Sequence, residues 1–263
     1  MELILVYALY VVIGALAGVL SGLLGIGGGV ITVPCFLYIF RFLDFPQPFV
    51  VHMAIATSLA AMIFNTISST WAHHKRHNVL WGVFYKFVPG LIVGAILGAC
   101  IANLLPGRVL EISFGVFLCV MAIRFCLQKP ISDATHKLPR FFVVTGVGGL
   151  IGFISNILGI GGGSLTVPLL TSFKIRDKSA IGTSSAVTLT TATLGTFSYL
   201  FLGMEELPKE PLGFIDPAAF LIVGASACLT APLGVYLIHV LDPKKVRRIF
   251  SLVLVVTGLA LIF

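Results

Sequence analysis

One glycine-rich segment occurs twice in this chain, and the repeat constrains the fold more than any other feature. Residues 21–34 read SGLLGIGGGVITVP, and residues 155–168, 134 positions later, read SNILGIGGGSLTVP. Ten of the fourteen aligned positions are identical. A segment that recurs at half the length of the chain indicates the duplication of one structural unit.

The duplication extends beyond the glycines. AIATS at residues 54–58 aligns with AIGTS at 180–184. We therefore predict two homologous transmembrane repeats, residues 1–128 and 140–263, joined by a polar cytoplasmic linker at 129–139.

Composition places both repeats in a membrane. Hydrophobic residues make up 58% of the chain and charged residues only 10%, whereas about a quarter of the residues of soluble domains are charged. Apolar runs near the ~20 residues needed to cross a bilayer recur along the whole length. We predict an all-α, multi-pass protein of the cell (inner) membrane.

The glycine cluster breaks the first apolar element of each half. Residues 25–29 hold four glycines, and Pro34 follows, so a regular helix cannot continue through them. Irregular backbone at membrane depth is tolerated only where protein buries it or where it lines a watery cavity. Each half is thus predicted to be a glycine-broken element followed by three transmembrane helices.

The lysines and arginines bear on how the broken elements cross the membrane. If each element crosses once, eight of the basic residues lie on one side and nine on the other. If each is a re-entrant hairpin, the division is fourteen against three, as the positive-inside rule expects. This favours an inverted repeat. The segments 3–24 and 140–160 are nevertheless long enough to span fully, so a full span followed by a half-helix stays open.

The residues after each glycine run are typical of an anion site. A short helix should begin near Val30 and near Ser164, and its first N–H groups have no intrahelical acceptor. Such helix ends and glycine nests bind anions. The predicted substrate ligands are Gly25, Gly27, Gly28, Gly29, Thr32, Gly159, Gly161, Gly162, Gly163, Ser164 and Thr166. The alternative is that the glycines only allow close helix packing.

The helices that follow carry polar residues on one face. Ser184, Thr188, Thr191 and Gly195 recur at helical spacing, and their counterparts are Ser58, Met62, Asn65 and Ser69. From this region we add Thr57, Ser58, Thr183 and Ser184 to the predicted substrate ligands. Hydrogen bonding between neighbouring helices is the competing interpretation.

Other classes of function receive little support. No strand precedes the glycines and no P-loop lysine follows them, which argues against a nucleotide site. The net charge of +7 is scattered over short loops, so we expect no nucleic acid partner. His73 and His77 lie four apart but lack carboxylate or thiolate partners, so we expect no metal. No nucleophile–base pair is evident, and we expect neither enzymatic activity nor a cofactor.

These residues resemble those of the sulfite exporter TauE/SafE family (the TSUP permeases). The resemblance covers nearly the whole chain and rests on the duplicated motif, namely on Gly25, Gly27, Gly28, Gly29 and Pro34 and on Gly159, Gly161, Gly162, Gly163 and Pro168. It implies a transporter of small sulfur-containing or organic anions, such as sulfite, sulfonates and sulfoacetate.

The function expected from the sequence is therefore secondary transport of a small anion by alternating access, with a sulfur oxyanion or organosulfonate such as sulfite, taurine or sulfoacetate as substrate. A passive anion channel is one alternative, and a membrane scaffold without transport is another. The expected partners are the anion and the lipid bilayer, and a homodimer stays open.

Overall fold

The computed structural model describes residues 2–127, 140–207, 211–237, 240–241 and 243–263. Within these ranges the chain is all-helical. The helices are α1 (Glu2–Leu24), α2 (Gly29–Phe42), α3 (Val50–Lys75), α4 (Trp81–Leu104), α5 (Gly107–Leu127), α6 (Phe141–Leu158), α7 (Gly163–Ser172), α8 (Asp177–Glu206), α9 (Pro217–Leu237) and α10 (Pro243–Ile262). The predicted linker at 129–139 lies outside the described residues.

The helices have the lengths and surfaces of membrane spans. In the described part of the chain, α1, α3, α4, α5, α6, α8 and α9 are each long and apolar enough to cross a bilayer. Large apolar side chains such as Leu104, Phe142 and Leu229 point outward, where lipid can cover them. The prediction of an all-α polytopic membrane protein is confirmed.

Each glycine-broken element is a hairpin. Tyr10 of α1 packs against Phe36 of α2, with ring centroids 6.0 Å apart. A Cβ atom placed on Gly28 would lie 3.0 Å from the Cβ atom of Ala17. In the second half, a Cβ atom on Gly162 would similarly lie 3.1 Å from Ile151 Cγ2. In each half the start of the second leg therefore lies beside the first leg, and in the first half α2 folds back along α1.

The legs differ in length. α1 has 23 residues and α2 has 14, while α6 has 18 and α7 has 10. The first leg alone is long enough to cross a bilayer. Whether it does so in the membrane stays a prediction.

The two hairpins enter the molecule from opposite ends. At one end, Arg41 at the close of α2 forms a bidentate ion pair with Glu111 of α5, at 3.0 and 2.9 Å. At the other end, Thr145 near the start of α6 donates to the carbonyl of Lys86, near the start of α4, at 2.9 Å. The inversion of the halves across a membrane remains a prediction that this arrangement favours.

Two glycine seams join each half to the other. On α1, Gly14, Gly18 and Gly22 lie against the backbone of α9. On α4, Gly90 and Gly94 lie against the backbone of α6. Small residues at four-residue spacing let helix backbones approach closely in membranes. The first helix of each half thus packs on a helix of the other half.

α3 and α8 cross in the centre of the molecule and run antiparallel. Leu80 N, just after α3, donates to Thr183 Oγ1 near the start of α8, at 3.0 Å. Asp216 N, beyond the end of α8, donates to Thr57 Oγ1 near the start of α3, also at 3.0 Å. Equivalent helices of the two halves therefore run in opposite directions past each other. Their crossing positions the candidate site.

Candidate functional site

The two glycine clusters lie directly against each other at this crossing. We call residues 25–29 and 159–163 the glycine turns. A Cβ atom on Gly29 would lie 2.6 Å from the carbonyl oxygen of Gly159, and one on Gly163 would overlap the carbonyl oxygen of Gly25. The two turns are therefore in backbone contact and run antiparallel. This close approach requires glycine at both positions.

The local backbone explains why these positions carry glycine. Gly27 and Gly28 have φ of 80° and 86°, and Gly161 and Gly162 have φ of 69° and 83°. Side chains other than that of glycine rarely occupy this left-handed region. Gly28 and Gly162 are the N-caps of α2 and α7, and neither helix start has a side-chain cap.

Side chains of the crossing helices hold the carbonyl groups of both turns. Ser58 of α3 donates to Gly159 O at 3.2 Å, and Ser184 of α8 donates to Gly25 O at 2.8 Å. Each of these serines therefore holds the turn of the opposite half.

Two further side chains complete this pattern within each half. Asn65 Nδ2 donates to Gly27 O at 2.9 Å, and Thr191 Oγ1 donates to Gly161 O. Four carbonyls of the two turns are thereby held by donors from α3 and α8.

The backbone N–H groups of the turns, in contrast, lack hydrogen-bond acceptors. Among the described residues, we find no acceptor for the N–H groups of Gly27 to Val30 or of Gly161 to Ser164. All eight of these residues are buried. Buried N–H groups are nearly always paired in native proteins. Because four turn carbonyls are held by side-chain donors while these N–H groups are free, the site offers hydrogen-bond donors to an anion.

The space between the turns is closed in this conformation. Met62 of α3 and Thr188 of α8 both lie against Gly27 and Gly161, and Met62 Sδ would be 3.0 Å from a Cβ atom on Gly27. Met62 and Thr188 are 0% exposed. The site is therefore shielded from solvent on every side.

The predicted ligands divide into two groups. The eight predicted glycines and Ser58, Ser184, Thr32, Ser164 and Thr166 lie in or against the turns. Thr32 Oγ1 is 2.7 Å from Ser58 Oγ, and Thr166 Oγ1 donates to Gly162 O at 2.9 Å. The hydroxyl oxygens of Thr57 and Thr183 instead accept the N–H groups of Asp216 and Leu80, which join other parts of the fold.

Sequence reasoning missed two residues that hold the turns, Asn65 and Thr191. Both are on the polar face noted in the sequence, seven positions after Ser58 and Ser184 respectively. That spacing was the available signal, because it repeats in both halves. Their partners are the backbone carbonyls of Gly27 and Gly161. The positions of these carbonyls depend on the turn geometry and cannot be recognised from the sequence.

The histidines of the basic loop are engaged elsewhere. His73 is fully buried, and its Nε2 lies 3.1 Å from Gly22 O on α1. Its counterpart Tyr199 donates to Asn156 O at 2.8 Å, so both residues hold the end of a first leg. Nowhere in the described ranges do three or more His, Cys, Asp or Glu side chains form a group able to hold a metal.

Comparison with known proteins identifies the family. The sequence profile of the sulfite exporter TauE/SafE family matches residues 10–261. The chain belongs to this family. The match covers both glycine turns and every helix that contacts them, so the duplicated motif and the family assignment describe the same region of the TauE/SafE fold.

Two relatives of this TauE/SafE protein are similar over nearly their whole length. A "Probable membrane transporter protein" of Haemophilus influenzae is 33% identical over 259 residues, covering 95% of this chain and 96% of the relative. One of Methanocaldococcus jannaschii is 30% identical over 262 residues, covering 98% and 96%. These names indicate a membrane transporter rather than an enzyme, and the seven apolar helices of the described residues agree with a multi-pass protein. No solved structure gives a significant match.

Proposed function

We propose that this TauE/SafE protein is a secondary transporter that moves a small anion by alternating access around the two glycine turns. The substrate class is a sulfur oxyanion or organosulfonate, such as sulfite, taurine or sulfoacetate. The proposal depends on one observation at the crossing, namely that carbonyl groups and N–H groups of the turns differ in their hydrogen bonding. Four carbonyls of the turns are held by side chains of α3 and α8, while the buried N–H groups between them have no acceptor.

The electrostatics favour an anion over a cation. A cation would compete with Ser58, Ser184, Asn65 and Thr191 for four of the turn carbonyls. An anion would use the free N–H groups, whose partial positive charge is reinforced by the N-terminal ends of α2 and α7. The substrate would be held by hydrogen bonds, without a cationic side chain at the turns.

Closure of the site favours a carrier over a passive channel. A channel needs a continuous path, whereas Met62 and Thr188 fill the space between the turns and are fully buried. Alternating access requires a conformation of this kind, in which the site is closed. A scaffold without a ligand would leave eight buried N–H groups permanently without an acceptor, which is unfavourable.

Flux in proteoliposomes tests the proposal directly. We expect saturable uptake of labelled sulfite, taurine or sulfoacetate, and faster exchange when unlabelled substrate is present on the opposite side. Flux that rises linearly with concentration at channel rates would contradict the carrier mechanism. Stabilisation of the protein against thermal unfolding by an organic cation, and by none of these anions, would contradict the anion assignment.

Valine substitutions test the role of the glycine turns. Gly28→Val and Gly162→Val place a branched side chain at a positive φ, where it is strained. We expect both variants to insert in the membrane and to lose transport. Gly146→Val on α6 is the matched control, because no atom lies within 4 Å of a Cβ atom placed there. Normal transport by the two turn variants would show that the turns only pack helices.

Impermeant thiol labelling tests the proposed orientation of the chain in the membrane, which follows from the distribution of lysine and arginine. The basic loops at 73–78 and 174–178 are proposed to face the cytoplasm together with the linker, and residues 205–210 to face outside. Single cysteines at His77, Lys174 and Glu206 in a cysteine-free background report this. Labelling of His77 and Lys174 positions from opposite sides would exclude the inverted repeat. Light scattering of the detergent-solubilised protein decides whether it is a homodimer.

A further inference from the structure

The two halves of the site differ in their buried hydroxyl groups. Ser21 and Ser155 occupy the same position in the repeat, and both are 0% exposed. Ser21 Oγ donates to Asn65 Oδ1 at 3.3 Å. Ser155 Oγ has no hydrogen-bond partner in the described structure.

A single difference on the crossing helices explains this. The repeat counterpart of Asn65 is Thr191, whose hydroxyl donates to Gly161 O and has two carbonyls of its own helix within reach. Thr191 lacks the second polar atom, Oδ1, that Asn65 offers to Ser21, and its Oγ1 forms no hydrogen bond with Ser155 Oγ, so Ser155 has no partner. Ser155 Oγ would lie 3.1 Å from a Cβ atom on Gly162, beside the N-cap of α7.

The first turn of α7 repeats the asymmetry. Ser164 is 1% exposed, and its hydroxyl also has no partner among the described residues. Its counterpart at the start of α2 is Val30, which has no polar side-chain atom. A buried hydroxyl without a partner is unfavourable and uncommon. Two of them flank the same helix N-terminus, next to N–H groups that also lack acceptors.

We infer that the anion binds asymmetrically, at the N-terminal end of α7, with the hydroxyls of Ser155 and Ser164 as ligands beside the N–H groups of the second glycine turn. This inference rests on the proposed function and specifies which half holds the substrate. The hydroxyls come from two different elements, α6 and α7, so they approach a ligand from different directions. That arrangement suits an anion with several acceptor oxygens, the chemistry that sulfite and a sulfonate headgroup share.

Alanine variants at the paired positions test the inference. Ser155→Ala and Ser164→Ala remove the free hydroxyls, and Ser21→Ala is the matched control with the same burial and local sequence. Binding of sulfite and taurine to purified protein is measured by titration, and flux by uptake into proteoliposomes. A hydrogen bond to a charged group is a strong one. We expect the Kd of Ser155→Ala and Ser164→Ala to rise roughly ten- to hundredfold, and that of Ser21→Ala to change by less than about twofold.

Unfolding without ligand separates a ligand role from a structural one. Removal of an unpaired hydroxyl should leave the Tm of Ser155→Ala and Ser164→Ala unchanged or raised, whereas Ser21→Ala loses its bond to Asn65 and should unfold at a lower temperature. A serine introduced at position 30 should not replace the function of Ser164. The double variant Val30→Ser/Ser164→Ala should therefore bind sulfite as weakly as Ser164→Ala.

The outcomes distinguish the inference from the proposed function. Equal losses of affinity in Ser21→Ala and Ser155→Ala would overturn the asymmetry and indicate a two-fold symmetric site. Unchanged affinity in Ser155→Ala and Ser164→Ala, with loss of transport in Gly162→Val, would overturn the inference and leave the proposed function standing. A wild-type protein that neither binds nor transports any of these anions would overturn both.

Discussion

Glycine serves two different purposes in the glycine turns and in the glycine seams. In the turns, Gly28 and Gly162 have φ of 86° and 83°, and the surrounding carbonyls are held by side chains. In the seams, Gly90 and Gly94 are helical, and a Cβ atom on either would overlap the backbone of α6. The seams use only the small size of glycine, whereas the turns also use its backbone freedom.

The comparison shows that glycine content alone does not locate a binding site. The packing interpretation, which the sequence analysis left open for the repeated glycine clusters, describes the seams. At the turns, the free N–H groups and occupied carbonyls point to the display of hydrogen-bond donors. The two regions should therefore respond differently to substitution, in stability at the seams and in ligand binding at the turns.

The largest effect on stability is expected at a seam. Gly94→Ala forces α4 and α6 apart, because the new methyl group meets the carbonyl oxygen of Gly149. Overpacking of this kind costs about 1–3 kcal/mol or more. Gly146→Ala, on the lipid-facing side of α6, is the control and should be neutral or slightly stabilising. Thermal unfolding in detergent measures both, and an unchanged Tm in Gly94→Ala would remove the distinction between the regions.

The next effect is expected where side chains hold the turns. Asn65→Ala leaves the buried carbonyl of Gly27 without its donor, at a cost of about 1–3 kcal/mol. The freed carbonyl would also repel an anion, so sulfite affinity should fall together with stability. The control is Thr66→Val on the same helix, because Thr66 is buried and bonds only to carbonyls of α3. Loss of stability with unchanged affinity would place Asn65 in the packing of the helices alone.

The smallest effect on stability is expected at two neighbouring residues of α3, and their comparison tests how far the substrate site extends. Ser58→Ala removes the donor to Gly159 O, while Thr57→Val removes the acceptor for Asp216 N. Thr57→Val loses one hydrogen bond and Ser58→Ala loses two, because Ser58 also pairs with Thr32; each bond is worth about 1 kcal/mol. We expect only Ser58→Ala to weaken sulfite binding, measured by titration beside the unfolding curves. Equal weakening in Thr57→Val would extend the substrate site to Thr57 and Thr183, as the sequence predicted.

Much of the architecture was predictable because it depends on local pattern. The breaks at residues 25–29 and 159–163 follow from the glycines themselves, and the helices follow from apolar runs of membrane length. The seams were not predicted. The glycines of α1 recur every four residues, but the sequence does not say that their partner is α9.

The contacts that define the site also depend on distant parts of the chain. Ser58 was predicted as a substrate ligand from its position after the first turn, yet its hydroxyl engages Gly159, 101 positions away. Ser155 was noted only as part of the repeated motif. Its hydroxyl is unpaired beside Thr191, whereas that of Ser21 pairs with Asn65 in the first half, and this difference appears only when the helices cross.

The exchange of contacts between halves has a consequence for biosynthesis. When the first 127 residues have entered the membrane, the carbonyl of Gly25 still lacks Ser184, and the glycines of α1 still lack α9. The first half must therefore remain in the lipid without these contacts until the second half has been synthesised. The halves therefore depend on each other for their contacts and are not independent domains. Fragments 1–127 and 140–263 should each be degraded quickly when produced alone, and they should stabilise each other when produced together.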